Sequence, residues 1–197
     1  IPDANTTSFS TSAFNPTYEN WYWIRVNDYW GQTSIGSGMT NTIEPLPGTV
    51  DVVDVTYDFD EMTIIWERSV EDDFFAYKVY HSLSESGTKT LFETYDSPSV
   101  TSHVVTEFDP THANWFWVDV TDKWGQSAMG DGLSNSIDAF PQAVDVITVN
   151  YSLESMIVGW EVSQDDDFAS YELLQSINGE APTSIANIED PLTTYFT

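Results

Sequence analysis

The stretches WGQTSIGSGMTN (Trp30–Asn41) and WGQSAMGDGLSN (Trp124–Asn135) are nearly identical and lie 94 positions apart. The same offset, applied without a gap along the chain, gives 33 identities among its 103 residue pairs. A repeat of this length is too long for a solenoid unit and fits a small sandwich domain repeated in tandem. The offset therefore predicts the domain organisation.

Proline-containing junctions recur at this spacing and suggest where one unit ends and the next begins. The first junction is Pro45-Leu46-Pro47, and the second is Ala139-Phe140-Pro141. Proline restricts the backbone and suits short, stiff connections between domains. We therefore expect one complete unit at residues 47–140, the C-terminal part of a unit at residues 1–46, and the N-terminal part of a unit at residues 141–197.

Apolar residues within a unit alternate with a period of two, which is typical of strands that are buried on one face. Met62, Ile64 and Trp66 provide one such series. Gly, Pro, Asp, Asn and Ser cluster between the runs of strand-forming residues, where turns are expected. About seven short strands per unit are typical of an antiparallel sandwich. We predict an all-β fold of tandem antiparallel β-sandwiches.

Several motifs of the repeat resemble those of a known domain family. They are a tryptophan on the second strand, Tyr-x-Val on the third, a Leu-x-Pro-like turn before the sixth and a glycine after it: Trp66 and Trp160; Tyr77 and Val79; Phe108-Asp109-Pro110 and Phe14-Asn15-Pro16; Gly125 and Gly31. Together they resemble the fibronectin type III family, whose corner tyrosine is replaced here. The resemblance covers essentially the whole chain and implies tandem immunoglobulin-like sandwiches of a secreted or surface protein.

The charge of the chain excludes several classes of partner. It carries 5 Lys and Arg against 32 Asp and Glu, a formal net charge of −27. Such a surface repels nucleic acid phosphates and anionic lipid headgroups, so we expect neither nucleic acid binding nor membrane insertion. The sequence has no cysteine, which excludes disulfides and zinc-thiolate sites. Because the sequence starts without Met, we expect a processed chain or a piece of a longer one.

The glycines of the two opening stretches match no catalytic or cofactor motif. A phosphate loop needs a following helix and often a lysine, and residues 31–41 contain no lysine. A nucleophile elbow needs G-x-S-x-G, and GQSAMG is one residue too long. His81, His103 and His112 follow no metal-ligand spacing, and we expect His81 in the core or at its rim. We predict that the protein is not an enzyme.

Two acidic triplets between the second and third strands are candidate calcium ligands: Glu71, Asp72 and Asp73, and Asp165, Asp166 and Asp167. Clustered carboxylates are the hard oxygen donors that Ca²⁺ prefers. The spacing does not match an EF-hand loop, and a solvated acidic turn is the alternative interpretation. We predict no other cofactor.

Aromatic residues on the opposite parity to the core form the second candidate site: Trp21, Trp23, Trp115, Trp117 and Tyr80. If Phe116 and Val118 face the core, these five side chains face outward. Exposed aromatic pairs repeated in register are candidates for contact between units or subunits, or for stacking on a glycan. A third interpretation is that the rings lie against their own sheet.

The two partial units together supply one complete unit. A partial sandwich would expose half a core and unpaired strand edges. Short proline junctions oppose folding back within one chain, whereas head-to-tail contact between chains gives an open filament. We therefore predict a structural repeat subunit of an extracellular filament or cell-surface adhesin, with another copy of the chain as partner.

Three alternatives stay open. The sequence fits a window of a long covalent array, a calcium-dependent adhesion module, or an ancillary carbohydrate-binding module of a secreted enzyme. Two glycosylation sequons, at Asn5 and Asn150, agree with an extracellular or cell-surface location.

Overall fold

The computed structural model describes residues 5–197, and every regular element within this range is a β-strand. All strand pairs are antiparallel, which confirms the predicted fold class. The chain separates into two compact units, and the boundary lies between Ile137 and Asp138. No helix in the described range has the length and apolarity to cross a membrane. We call residues 5–46 the head, residues 47–137 the central sandwich and residues 138–197 the tail.

The head is a two-armed ribbon that belongs to the first compact unit together with the central sandwich. Its strands are β1 (Trp21–Tyr22), β2 (Arg25–Asn27), β3 (Thr33–Ile35) and β4 (Met39–Thr40). β2 pairs with β3 near the tip of the ribbon, and β1 pairs with β4 near its base. The first of the two repeated stretches, Trp30–Asn41, therefore forms the tip and the returning arm of this ribbon.

The central sandwich consists of two sheets that face each other. Its strands are β5 (Val52–Tyr57), β6 (Met62–Trp66), β7 (Phe74–Ser82), β8 (Thr90–Tyr95), β9 (Ser102–Val105), β10 (Trp115–Asp122), β11 (Ser127–Met129) and β12 (Leu133–Ser134). One sheet has the order β5-β6-β9, and the other has the order β11-β10-β7-β8 with β12 also beside β10. β11 and β12 are two parts of one interrupted last strand, so the unit has the expected number of strands.

The core of the central sandwich lies between the two sheets and follows the predicted alternation. Met62, Ile64 and Trp66 are buried on one sheet, and the residues between them are only half-buried. The same alternation on β7 and β10 completes a core made of Val50, Val52, Val55, Met62, Ile64, Trp66, Tyr77, Val79, Val105, Phe116, Val118 and Val120. The inner face of β10 is therefore an essential wall of this core.

The tail repeats the first five strands of the central sandwich. Its strands are β13 (Val146–Tyr151), β14 (Met156–Trp160), β15 (Tyr171–Gln175), β16 (Thr183–Ile188) and β17 (Tyr195–Phe196). They form a sheet of order β13-β14-β17 and a hairpin β15-β16. These arrangements correspond to β5-β6-β9 and β7-β8. Within residues 141–197, no strand corresponds to β10, β11 or β12.

The gapless offset is wrong in the tail, where one residue is missing from a hairpin. Tyr77 pairs with Tyr95, but its counterpart Tyr171 pairs with Ile188, one residue closer in sequence. The hairpin between β15 and β16 turns through Asn178 and Gly179, both with positive φ. Asn and Gly tolerate this backbone conformation, so the turn can close with one residue fewer.

The hydroxyl of Tyr77 ties two loops to the buried third strand. The Ser69 N–H donates to Tyr77 Oη at 2.6 Å, and the hydroxyl in turn donates to the Pro98 carbonyl at 3.4 Å. The tail repeats this arrangement through Tyr171, which accepts from the Ser163 N–H at 2.7 Å. The Tyr-x-Val motif therefore contributes a polar anchor as well as core packing.

We expect Tyr77→Phe to lower the free energy of unfolding by about 1–3 kcal/mol, because the buried Ser69 N–H loses its acceptor. Urea denaturation, monitored by tryptophan fluorescence, measures this change in the free energy of unfolding. Tyr80→Phe is the matched control, because Tyr80 lies on the outer face of the same strand and is half-buried. Equal losses for the two variants would show that the Tyr77 hydroxyl contributes no specific stabilisation.

Candidate interaction site

An open apolar groove lies on the inner face of the tail. It encloses about 460 Å³, and its apolar wall includes Val144, Val146, Trp160, Phe168, Tyr171 and Leu173. Trp160, Tyr171 and Leu173 form a small buried cluster at its floor. The groove is therefore the exposed surface of a partly formed sandwich core.

Equivalent residues of the central sandwich are completely covered. Val146 is 55% exposed, whereas its counterpart Val52 is 6% exposed. Met156 is 50% exposed, whereas its counterpart Met62 is 0% exposed. In the central sandwich, the side chains of β10 pack into the same core cluster and cover these positions. The groove thus exposes the apolar positions that β10 covers in the central sandwich.

The head presents the matching apolar face. Tyr22, Ile24 and Val26 are 52%, 68% and 64% exposed. Their counterparts in the central sandwich are Phe116, Val118 and Val120, and all three are buried in its core. The head and the tail therefore each expose the apolar positions that the other would cover in a complete sandwich.

Two asparagines hold the base of the head ribbon in shape. The Asn20 side-chain amide donates to the Asn15 carbonyl at 2.7 Å and to the Tyr18 carbonyl at 2.8 Å. The Asn20 N–H donates to Asn41 Oδ1 at 2.7 Å, which links the two arms. These side-chain bonds satisfy backbone groups without help from other strands. The ribbon is therefore organised by contacts within the head itself.

The central sandwich repeats this asparagine clamp with buried partners. The Asn114 side-chain amide donates to the Asp109 carbonyl at 2.9 Å, and the Asn114 N–H donates to Asn135 Oδ1 at 2.7 Å. Asn114 precedes the sixth strand, close to where the fibronectin type III family carries its corner tyrosine. The Asn114 amide thus anchors the start of β10 to the preceding turn.

An aspartate fixes the Trp-Gly-Gln turn at the tip of each ribbon. Asp122 Oδ1 accepts from the Trp124 and Gln126 N–H groups, both at 2.8 Å. Asp28 Oδ1 does the same in the head at 2.9 and 2.7 Å. Gly125 has φ +84°, a conformation that residues with a Cβ rarely adopt. The glycine of this motif serves a tight turn.

The turn of the central sandwich also contacts the preceding head. The rings of Trp124 and Phe14 lie 5.5 Å apart between centroids. Gln126 Nε2 donates to the Pro45 carbonyl at 2.9 Å. Trp124 is 38% exposed, whereas Trp30, at the same position in the head, is 84% exposed. The Trp-Gly-Gln motif thus contacts both the Phe-x-Pro turn and the linker of the preceding repeat.

The predicted outward tryptophans stack in pairs on the outer face. The Trp115 and Trp117 rings lie 5.8 Å apart at 18°, and the Trp21 and Trp23 rings lie 5.9 Å apart at 22°. Trp115 and Tyr80 are half-buried, and Trp21 and Trp23 are about half exposed. The same stacked pair of tryptophans therefore occurs in the head and in the central sandwich.

The expectation of exposure is wrong for Trp117, which is 6% exposed. The Lys89 ammonium lies 4.2 Å from the centre of its ring. The indole also lies so close to Gly132 that a Cβ there would overlap it, as one at Gly38 would overlap Trp23. Alternation predicts which face a side chain leaves, but it does not predict what then covers that side chain.

The six predicted calcium ligands do not converge. Among residues 5–197, no group of three or more acidic or histidine side chains is arranged to hold a metal ion. Glu71 Oε1 instead accepts from the Gly48 N–H at 2.8 Å. The Asp165 carboxylate accepts from the Gln142 N–H and from the Ser163 hydroxyl. The first acid of each triplet thus ties the start of its unit to the loop between the second and third strands.

The three histidines make separate local contacts. His81 is half-buried against Phe116 at the edge of the core, where we expected it. His103 Nδ1 hydrogen-bonds to the Tyr95 hydroxyl, and burial lowers the pKa of His103 while the charge of Glu93 opposes this shift. His112 pairs with Asp109 on the surface at 2.9 Å. These contacts are local and structural.

Comparison with known proteins gives structural neighbours only. No family model and no curated protein matches the sequence. One similar structure is that of the FN1–FN3 domains of chicken CNTN1, with 16% identity and a TM-score of 0.39, covering 89% of this chain and 65% of that one. Another is that of domains A168–A170 of titin, with 15% identity and a TM-score of 0.39, covering 60% of this chain and 39% of that one. The matched region thus spans only part of the length of each of these two structures.

Proposed function

We propose that the protein is a structural repeat subunit of an extracellular filament or adhesin. The head of one chain completes the tail of the next, so that each junction becomes a full sandwich. The observation that carries the proposal is the match between the apolar groove of the tail and the apolar face of the head. The acidic surface, at a net charge of −27, would keep such a fibre solvated.

The central sandwich supplies the register for this contact. There Val118 lies opposite Val79, and Val120 lies opposite Tyr77. The repeat offset then places Ile24 opposite the partner's Leu173, and Val26 opposite the partner's Tyr171. Apolar residues meet apolar residues at both positions, as they do within the central sandwich.

The energetic balance favours such a contact. Burying one Val or Ile side chain contributes roughly 1.5–3 kcal/mol, and several positions on each surface would be buried together. Association costs less when the partners are already organised. The Asn20 and Asn41 clamp and the Asp28 turn order the head ribbon before it meets a partner.

The geometry of this contact leads to an open chain of subunits. The head and the tail are different surfaces, so their contact is heterologous and gives an open filament, with one free head and one free tail, where its rotation does not close a ring. Growth continues until one of the two surfaces is blocked. This property makes the proposal testable with two blocked variants.

We expect Val26→Asp to block the head and Val146→Asp to block the groove, because each buries an unpaired charge on docking. Each variant alone should sediment at the 22.2 kDa of one chain. A mixture of the two should form a dimer that does not grow, because one intact head meets one intact tail. Sedimentation velocity over a range of concentrations measures both results.

Val70→Asp is the matched control, because Val70 is 90% exposed in the central sandwich and lies outside the proposed contact. This variant should assemble like the unmodified chain. Unmodified chains that stay at 22.2 kDa at every concentration would contradict the proposal, whether the ends are unpaired or closed within one chain. A far larger denatured mass for the native material would instead indicate a covalent array.

The observed junction between head and central sandwich predicts a second contact across chains. The repeat offset places Trp30 against the partner's Phe108, as Trp124 lies against Phe14. It places the Gln32 amide against the carbonyl of the partner's Ala139, as Gln126 meets Pro45. Assembly would then bury the side chain of Trp30, which is 84% exposed in the single chain.

We expect Trp30→Ala, placed in the Val146→Asp chain, to weaken its dimer with the Val26→Asp chain by about tenfold or more, as for tryptophans at the centre of interfaces. The dissociation constant from sedimentation measures the effect. Trp124→Ala in the same chain is the control, because Trp124 contacts its own head. An effect of similar size from both variants would argue against the contact.

A further inference from the structure

The few basic residues of the chain mark two facing strand positions whose charges are exchanged between repeats. Only five Lys and Arg occur in the sequence; one of them, Arg25, lies in residues 1–46, and none lies in residues 141–197. In the central sandwich, Asp119 of β10 lies directly opposite Lys78 of β7. The repeat offset converts Asp119 into Arg25 and Lys78 into Glu172. Both positions keep opposite charges, but the charges have exchanged sides.

The structure supports this equivalence independently on each side. Arg25 pairs with Ile35 in the head ribbon, as Asp119 pairs with Met129 in the central sandwich. On the other strand, Tyr171 receives its hydrogen bond from Ser163, as Tyr77 does from Ser69. Glu172 follows Tyr171 directly, and the missing residue of the tail lies after β15. Arg25 and Glu172 are therefore the repeat equivalents of Asp119 and Lys78.

We propose that Arg25 and the partner's Glu172 form the pair that selects the correct partner strand when a head docks on a tail. The inference rests on the proposed head-to-tail assembly and adds its specificity determinant. Arg25 is exposed and forms no ion pair with any other residue in the range 5–197. Its counterpart Asp119 is 7% exposed in the complete sandwich. Docking would thus move the Arg25 charge into a setting where an opposite charge matters more.

The exchange of signs also disfavours the wrong pairings. A head ribbon that replaced β10 beside β7 would place Arg25 opposite Lys78. A β10 strand that docked in the tail groove would place Asp119 opposite Glu172. Like charges directly opposite each other destabilise a pair of strands, and such repulsion is an effective source of specificity. The core residues alone do not provide this specificity, because they are apolar in the head, in the tail and in the central sandwich alike.

A charge-reversal cycle on the blocked pair of chains tests the proposal. Arg25→Glu is placed in the Val146→Asp chain, which supplies the head, and Glu172→Arg is placed in the Val26→Asp chain, which supplies the tail. Each reversal alone should raise the dissociation constant about tenfold, since it replaces attraction by repulsion between opposite residues. The two reversals together should restore most of the affinity.

Arg68→Glu in the head-supplying chain is the matched control. Arg68 is exposed in the central sandwich, and the substitution changes the net charge by the same amount. If Arg25→Glu weakens the dimer no more than this control does, or if the double reversal fails to restore affinity, the pair is not a specificity determinant although head-to-tail assembly stands. If the two unreversed chains do not associate, both the pair and the assembly are overturned.

Discussion

The pairing of β10 with β7 is the interaction on which the rest of this structure depends. It places Phe116, Val118 and Val120 beside Tyr77 in one sheet and in the same core as Trp66 of the other sheet, and so closes the core between the two sheets. Without such a strand, the same residues of the other sheet lie open, as Val146 and Met156 of the tail do. The core of the sandwich is thus covered only when its last ribbon, formed by β10 to β12, is in place.

That ribbon is also a unit of local structure. The asparagine clamp at its base and the aspartate turn at its tip both recur in the head, where the ribbon has no sheet to complete. Because these bonds join residues within the ribbon itself, the ribbon keeps its shape before its apolar face is covered. A preorganised ribbon and a preformed groove are the conditions under which strand addition is efficient.

Much of this arrangement follows from sequence, because alternation and repetition are local signals. The period of two around Trp66 and the offset of Trp30 and Trp124 predict the strands, the core and the class of fold. The burial of Trp117 does not follow, because it depends on Lys89, in the loop before β8, and on Gly132, between β11 and β12. The fate of the acidic triplets does not follow either, because Glu71 and Asp165 bond to backbone groups that composition does not reveal. Sequence thus predicts which face a residue takes more readily than it predicts the partner that residue meets there.

In the proposed assembly, each head has to distinguish the tail of another chain from the complete sandwiches that contain the same contact. Its correct and incorrect partners share the same apolar pattern, so shape and hydrophobicity separate them poorly. Discrimination has to come from positions where the copies differ and where the cost of a mismatch is high. Asp119 and Lys78, compared with Arg25 and Glu172, are such positions, since the exchange of signs sets opposite charges against each other in each proposed correct pairing and like charges in each wrong one. The chain has only five basic side chains, and in the proposed assembly one of them lies opposite a glutamate of the neighbouring copy, which favours docking of the head on the tail.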